Sequence, residues 1–182
     1  MHEEFAPKIH SSEIIYHEFL KIREDMIELK DGTLKPHSSL ILPGNAAIVL
    51  AQDVEGKYIL NYEYRHPARR FLLGCPGGLL EEGEDPIVGG RRELLEETGY
   101  FAEEIHLTGC AYPFPGICDQ KIYYLFAKNA AKKQSPSLDP LEIIETQLKT
   151  EEELRQAIRS WPNIDAILCT ALWYKEMFLY PL

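Results

Sequence analysis

Apolar and polar positions alternate through the first third of the chain. In FLKIREDMIELKDGTL, Leu20, Ile22, Met26 and Ile27 stand among charged neighbours and Asp31-Gly32 marks a tight turn, a pattern that predicts a hairpin. NAAIVLAQDVEGKYILNYEYRHP carries two β-rich runs, Ala47 to Ala51 and Tyr58 to Tyr64, joined by a polar turn with Glu55-Gly56. It predicts a second hairpin. IHLTGCAYPFPGICDQKIYYLFAKNA predicts a strand, a Pro/Gly loop from Pro113 to Gly116, and a strand centred on Tyr123 to Ala127, before the polar loop KKQSPSLDP. Thr150 with Glu153 makes a capping box for a short helix through Ile158, and PNIDAILCTALWYKEMFL has helical spacing up to Pro181. No internal repeat and no low-complexity segment interrupts this order. Strands, a helix, strands and two helices predict an α+β or sandwich-like domain rather than a doubly wound one.

The helix in the middle changes the picture from fold to chemistry. Asp85 followed by Pro86 is a helix start, and Gly99 suits the left-handed residue that ends one, so the helix spans roughly Pro86 to Thr98. Glu93, Glu96 and Glu97 are then i, i+3 and i+4 and share one face. On an exposed face such neighbours repel by only a few tenths of a kcal/mol, roughly. In a partly dehydrated cleft, a pair about 5 Å apart at an effective dielectric near 20 repels by roughly 3 kcal/mol. The triplet is therefore either a solvated face or a cation site. Hard carboxylate oxygens with room for water and phosphate suit Mg²⁺ or Mn²⁺ better than zinc. The loop CPGGLLEEGE would run beside this face, and the carbonyl of Gly77 is a candidate for one more ligand.

Composition bounds the rest. The 182 residues suit one compact domain or two small lobes, with 45% hydrophobic residues and no apolar run near the roughly 20 residues of a membrane span. MHEEFAPKIH has neither a basic n-region nor an apolar h-region, and a soluble, cytoplasmic protein is expected. Cys75, Cys110, Cys118 and Cys169 lack metal or redox spacing and read as buried free thiols. A net charge of -10 argues against a nucleic-acid surface, so an anionic substrate must be held by a few arginines or by metal ions.

From Gly78 the chain reads G, five residues, Glu84, seven residues, then R-E-L-x-E-E-x-G from Arg92 to Gly99, followed by Tyr100. This resembles the Nudix box at each glycine, glutamate and arginine that the box specifies; Tyr100 stands where an aliphatic residue is usual. The resemblance implies a Nudix fold, a mixed β-sheet sandwiched between helices, here with an N-terminal antiparallel hairpin or small sheet. It implies two parts, residues 1–44 as a dimerising β segment and 45–182 as the hydrolase domain. It also implies metal-dependent attack of water on a diphosphate linkage, with Glu93, Glu96 and Glu97 as catalytic metal ligands and Glu84 and Arg92 as a bracing ion pair.

Outside the box, YRHPARRFLLGCPGG, YPFPGICDQ and DPLEIIE are similar to segments of ADP-ribose pyrophosphatases and related nucleoside diphosphate sugar hydrolases. That group commonly has acidic residues where this chain has Gly74 and Gln120, which widens the implied substrates to nucleoside diphosphate sugars generally. Arg65 is either a diphosphate contact or a surface arginine paired with Glu63 or Asp85, with Arg69 and Arg70 as weaker candidates. Tyr112 and Phe114 either stack on a base or ribose or pack in the core. The resemblance places the general base in the acidic loop, where Glu142 is chosen over Asp139 and Glu145, with His66 as an alternative. It also implies that the N-terminal segment joins a homodimer. The reading is a Mg²⁺-dependent diphosphatase of nucleoside diphosphate sugars; the alternatives are a nucleoside triphosphate pyrophosphohydrolase and a non-catalytic nucleotide-sugar sensor.

Overall fold

A computed structural model describes residues 6–18, 20–160 and 162–180. The chain divides into two compact units, one of residues 1–43 with 112–120 and one of residues 44–111 with 121–182. In the first, strands β1 (Lys8–His17), β2 (Lys21–Glu28) and β3 (Leu34–Ile41) form an antiparallel sheet in the order β1-β2-β3. The predicted hairpin is β2 and β3. Its turn places Gly32 at φ 82°, while the Asp31 carboxylate accepts a hydrogen bond from the Thr33 N–H. β1 adds a strand that the alternation of FLKIREDMIELKDGTL did not include. The segment 112–120 joins this unit through a bridge between Leu40 and Cys118.

The second unit is a mixed sheet between helices, as the resemblance implied. Its strands are β4 (Ala46–Asp53), β5 (Tyr58–Arg65), β6 (Arg70–Gly74), β7 (Gly77–Leu79), β8 (Tyr100–Phe101), β9 (Ile105–Ala111), β10 (Ile122–Lys132) and β11 (Ile144–Lys149). The main path runs β11-β5-β4-β10-β8, with β6 on β5, β7 on β4 and β9 on β10. β10 and β4 are parallel and the other pairs antiparallel. Helices α1 (Pro86–Thr98), α2 (Glu151–Arg159) and α3 (Ala166–Leu179) supply the outer layers.

Two-residue alternation in the central strands sends side chains to opposite faces. Leu50, Tyr58, Leu60, Tyr124 and Phe126 pack with Leu154 of α2 and Leu168 and Ala171 of α3. Val49, Ala51, Ile59, Leu125 and Ala127 pack with Leu94 of α1. On the α2–α3 side a buried Lys175 donates to the Tyr58 hydroxyl at 2.7 Å and lies 3.0 Å from Glu176, so its charge is paired. The Thr150 capping box closes around Glu153 and starts α2. α3 ends at Leu179, and Pro181, the sequence-based stop, lies outside the described residues. None of these helices is long and apolar enough to cross a membrane.

Helix α1 follows from its caps. The Asp85 carboxylate accepts from the N–H groups of Ile87 and Val88, Pro86 opens the first turn, and Gly99, at φ 73°, donates its N–H to the Leu95 carbonyl. Inside the helix, Gly89 and Gly90 let it approach its neighbours. A Cβ on Gly90 would stand 2.2 Å from Cδ1 of Leu125, and one on Gly89 would stand 2.3 Å from Cδ2 of Leu80. The expectation of four buried thiols is corrected: Cys75 and Cys118 are buried, whereas Cys110, on edge strand β9, and Cys169, on α3, are exposed. All four are free.

Candidate functional site

The glutamates of α1 meet the sheet at β5 and β7. Glu97 is 5% exposed, and Oε2 of its carboxylate accepts from the Gly77 N–H at 2.8 Å and from Nδ2 of Asn61 at 2.9 Å. The contact with Gly77 depends on backbone that only glycine tolerates: its φ is 149°, and a Cβ there would lie 2.2 Å from the Ala47 carbonyl oxygen. Burial raises the Glu97 carboxyl from its ordinary 4.5 to about 8; the Gly77 N–H opposes the rise, and the nearby charges of Glu93 and Glu63 add to it. Burial likewise raises the Glu93 carboxyl, against the pull of Arg92.

Arg92 organises the outer side of the same face. Its guanidinium reaches Glu84 at 3.1 Å, Glu93 at 2.8 Å and Glu96 at 3.1 Å, and it also donates to the Leu79 carbonyl. Those bonds hold the Glu84 carboxyl below the usual carboxylate range and raise Arg92 further. The Glu96 side chain is 46% exposed, so the three box glutamates are graded from buried Glu97 to half-exposed Glu96.

Strand β5 lays Asn61, Glu63 and Arg65 along the face that Glu97 occupies, because residues two apart share a face. Nη1 of Arg65 lies 2.7 Å from Glu63, so of the two readings for Arg65 the structure contains the ion pair with Glu63. Burial raises the Glu63 carboxyl; Arg65 opposes this, and Glu142 and Asp165 reinforce it. Glu142, in the acidic loop, also raises the Glu93 carboxyl by its charge. Its own carboxylate accepts from the Asp139 N–H, closing the turn. The loop is tied to α1 by the Ser137 N–H, which donates to the Glu96 carbonyl. Glu145 pairs with Tyr62 of β5 and so lies on the opposite face of the sheet, away from Asn61 and Glu97. His66 sits in an exposed 3₁₀ turn of residues 66–68, and Arg69 follows it at φ 52°. Tyr112 and Phe114 belong to the other compact unit, both about half exposed.

Sequence reasoning missed Asn61 and Glu63 as site residues. The signal available was the pair of polar residues two apart in YILNYEYR, a strand otherwise rich in apolar and aromatic residues. Asp165 was missed as well; it caps α3, and its Cβ lies 3.5 Å from where a Cβ of residue 74 would stand.

Among the described residues no three His, Cys, Asp or Glu side chains converge as a metal cage, and Arg92 engages both Glu93 and Glu96. The donor chemistry nonetheless fits a hard divalent cation. Oxygen ligands predominate, and the carboxylates of Glu63, Glu84, Glu93, Glu96, Glu97 and Glu142 outnumber the guanidiniums of Arg65 and Arg92. Oδ1 of Asn61, 2% exposed, has no hydrogen-bond partner among the described residues, an acceptor that a bound group would satisfy.

Residues 42–172 match the model of the NUDIX domain family. The chain is 30% identical over 170 residues to the methanol dehydrogenase activator of Bacillus methanolicus, covering 93% of this chain and 91% of that protein. It is also 30% identical over 152 residues to the ADP-ribose pyrophosphatase of Bacillus subtilis, covering 83% and 82%. Its fold matches a crystal structure of an ADP compounds hydrolase with a TM-score of 0.84 at 20% identity, over 95% of this chain and 94% of that one. The acid-bearing helix braced by arginine lies against the mixed sheet within the matched residues. The chain belongs to the Nudix family and is a Nudix hydrolase similar to ADP-ribose pyrophosphatases.

Proposed function

We propose that the protein hydrolyses the diphosphate linkage of nucleoside diphosphate sugars, ADP-ribose included, to a nucleoside monophosphate and a sugar phosphate, with Mg²⁺ as cofactor and Mn²⁺ as a substitute. The observation that carries this reading is the buried carboxylate of Glu97 beside Glu93 and Asn61, with Arg92 holding Glu84, Glu93 and Glu96 in register. Dehydrated carboxylates in that density are costly without a cation. Glu93, Glu96 and Glu97 would hold the ion, with the Gly77 carbonyl as a further ligand. A divalent cation there neutralises phosphate oxygens and lowers the pKa of water.

Glu142 takes the proton of the attacking water. Its support is that its charge raises both the Glu63 and the Glu93 carboxyls, while Glu145 lies on the other face. Arg65, now paired with Glu63, exchanges that partner for a diphosphate oxygen, which a planar guanidinium fits. The full set of box glutamates favours an enzyme over a sensor, since binding without turnover does not require them all.

Residues 1–44 form the dimerising segment in this reading. All ten residues of β1 are exposed, and its free edge and exposed Ile9, Ile14 and Ile15 offer a surface for a second copy. Four free thiols fit a reducing compartment, and we assign the protein to the cytoplasm. A substrate panel of ADP-ribose, GDP-mannose, UDP-glucose, dinucleotides and nucleoside triphosphates, with Mg²⁺ and with Mn²⁺, tests the proposal. Turnover of the nucleotide sugars is expected; turnover of triphosphates alone would make the protein a pyrophosphohydrolase.

A further inference from the structure

Asn61 is an unusual residue for its place. It lies in β5 between the core residues Leu60 and Tyr62, opposite Gly74 of β6 and Thr146 of β11, in a strand position where asparagine is disfavoured. It is 2% exposed, yet only its Nδ2 is bonded, to Glu97, and Oδ1 has no partner among the described residues. A buried amide that contributed only structure would have both ends satisfied, because an orphaned acceptor costs stability that an aliphatic side chain of the same size would not lose. The amide therefore costs stability where it stands, as functional residues do.

The direction of its bond shows what it does. Both donors to Glu97, the Gly77 N–H and the Asn61 amide, fall on Oε2, and no hydrogen bond among the described residues engages Oε1. Two neutral donors on one oxygen fix the carboxylate plane and favour its ionised form against burial. We propose that Asn61 is a positioning residue for the cation site: it clamps Oε2 of Glu97 so that Oε1 is presented to a divalent ion. The inference rests on the metal reading above. Outer partners that orient metal ligands commonly change affinity 10- to 100-fold when removed.

The test uses the full chain, Mn²⁺ alone as the probe, and the variants Asn61→Leu and Asn61→Val, of which either suffices if the other does not fold. Free Mn²⁺ is titrated by electron paramagnetic resonance, and melting temperatures are read in EDTA. The expected result is Mn²⁺ affinity at least tenfold weaker in the folded variant, with a metal-free melting temperature equal to or above that of the wild type. Mn²⁺ affinity within twofold of wild type overturns the inference, and a lowered melting temperature with that unchanged affinity makes Asn61 a packing residue instead. Wild-type protein that takes up no Mn²⁺ overturns the metal reading itself, and the role of Asn61 with it.

Discussion

Nη2 of Arg92 lies 3.1 Å from Oε2 of Glu84, and this pair ties the loop before α1 to the helix that carries the box glutamates. Both side chains are largely withdrawn from solvent, at 29% and 11% exposure. Breaking the pair strands charge: Arg92→Ala leaves Glu84, Glu93 and Glu96 without their shared cation. Hydrogen bonds to charged groups contribute about 1.5–3 kcal/mol each, so a loss of about 2 kcal/mol in urea denaturation is expected. A double-mutant cycle with Glu84→Gln should show coupling of about 1 kcal/mol or more. Additive effects of the two substitutions would deny the brace.

Glu97 makes the stability of the metal-free protein fall with rising pH. The unfolded chain ionises this carboxyl near 4.5, whereas the folded protein keeps its proton to about 8. Between those values the folded state binds more protons, so stability declines by at most about 1.4 kcal/mol per pH unit across the window. Glu97→Gln removes the decline. In EDTA it should match the wild type near pH 4 and exceed it at pH 9, by equilibrium urea unfolding. A wild type whose stability rises from pH 5 to pH 8 relative to the variant would contradict the burial of Glu97.

The helix and the placement of its glutamates were legible because they are local. Asp85, Pro86 and Gly99 mark both ends of α1, and the spacing of Glu93, Glu96 and Glu97 follows from helical geometry alone. Asn61 and Glu63 were not, since their place depends on which face of β5 turns toward α1, a fact of sheet register. Sequence could propose Arg65 as a phosphate contact or as a partner of Glu63, but only the strand geometry shows the 2.7 Å pair. β11, IETQLK, begins within the acidic segment DPLEIIE, and its pairing with β5 sends Glu145 to the far face. Cys110 and Cys169 read as buried on composition, and tertiary placement on β9 and α3 exposes them.

Gly90 lets α1 sit against the sheet. Alanine is about 1 kcal/mol better than glycine in a helix interior. Here its Cβ would meet Leu125 at 2.2 Å and Val49 at 3.0 Å, and overpacking of that kind costs about 1–3 kcal/mol. Gly90→Ala is therefore expected to lower the melting temperature, and a raised one would mean that α1 has room to move away.

Glu142 influences Glu63 and Glu93, whereas Glu145 faces the side of Tyr62. Glu142→Gln should reduce kcat by roughly 10²- to 10⁴-fold, the usual scale for a lost general base. Glu145→Gln, on the side of Tyr62, should leave kcat within about twofold of wild type by the same reasoning. Steady-state kinetics on ADP-ribose with Mg²⁺ read both, and equal losses would remove Glu142 from the role.

The most direct measurement follows ADP-ribose by phosphorus NMR with the wild type and with Glu97→Gln, in Mg²⁺ and in EDTA. The account predicts loss of the diphosphate signals and growth of two monoester signals for the wild type in Mg²⁺ alone. Equal hydrolysis in EDTA, or undiminished hydrolysis by Glu97→Gln, would contradict it.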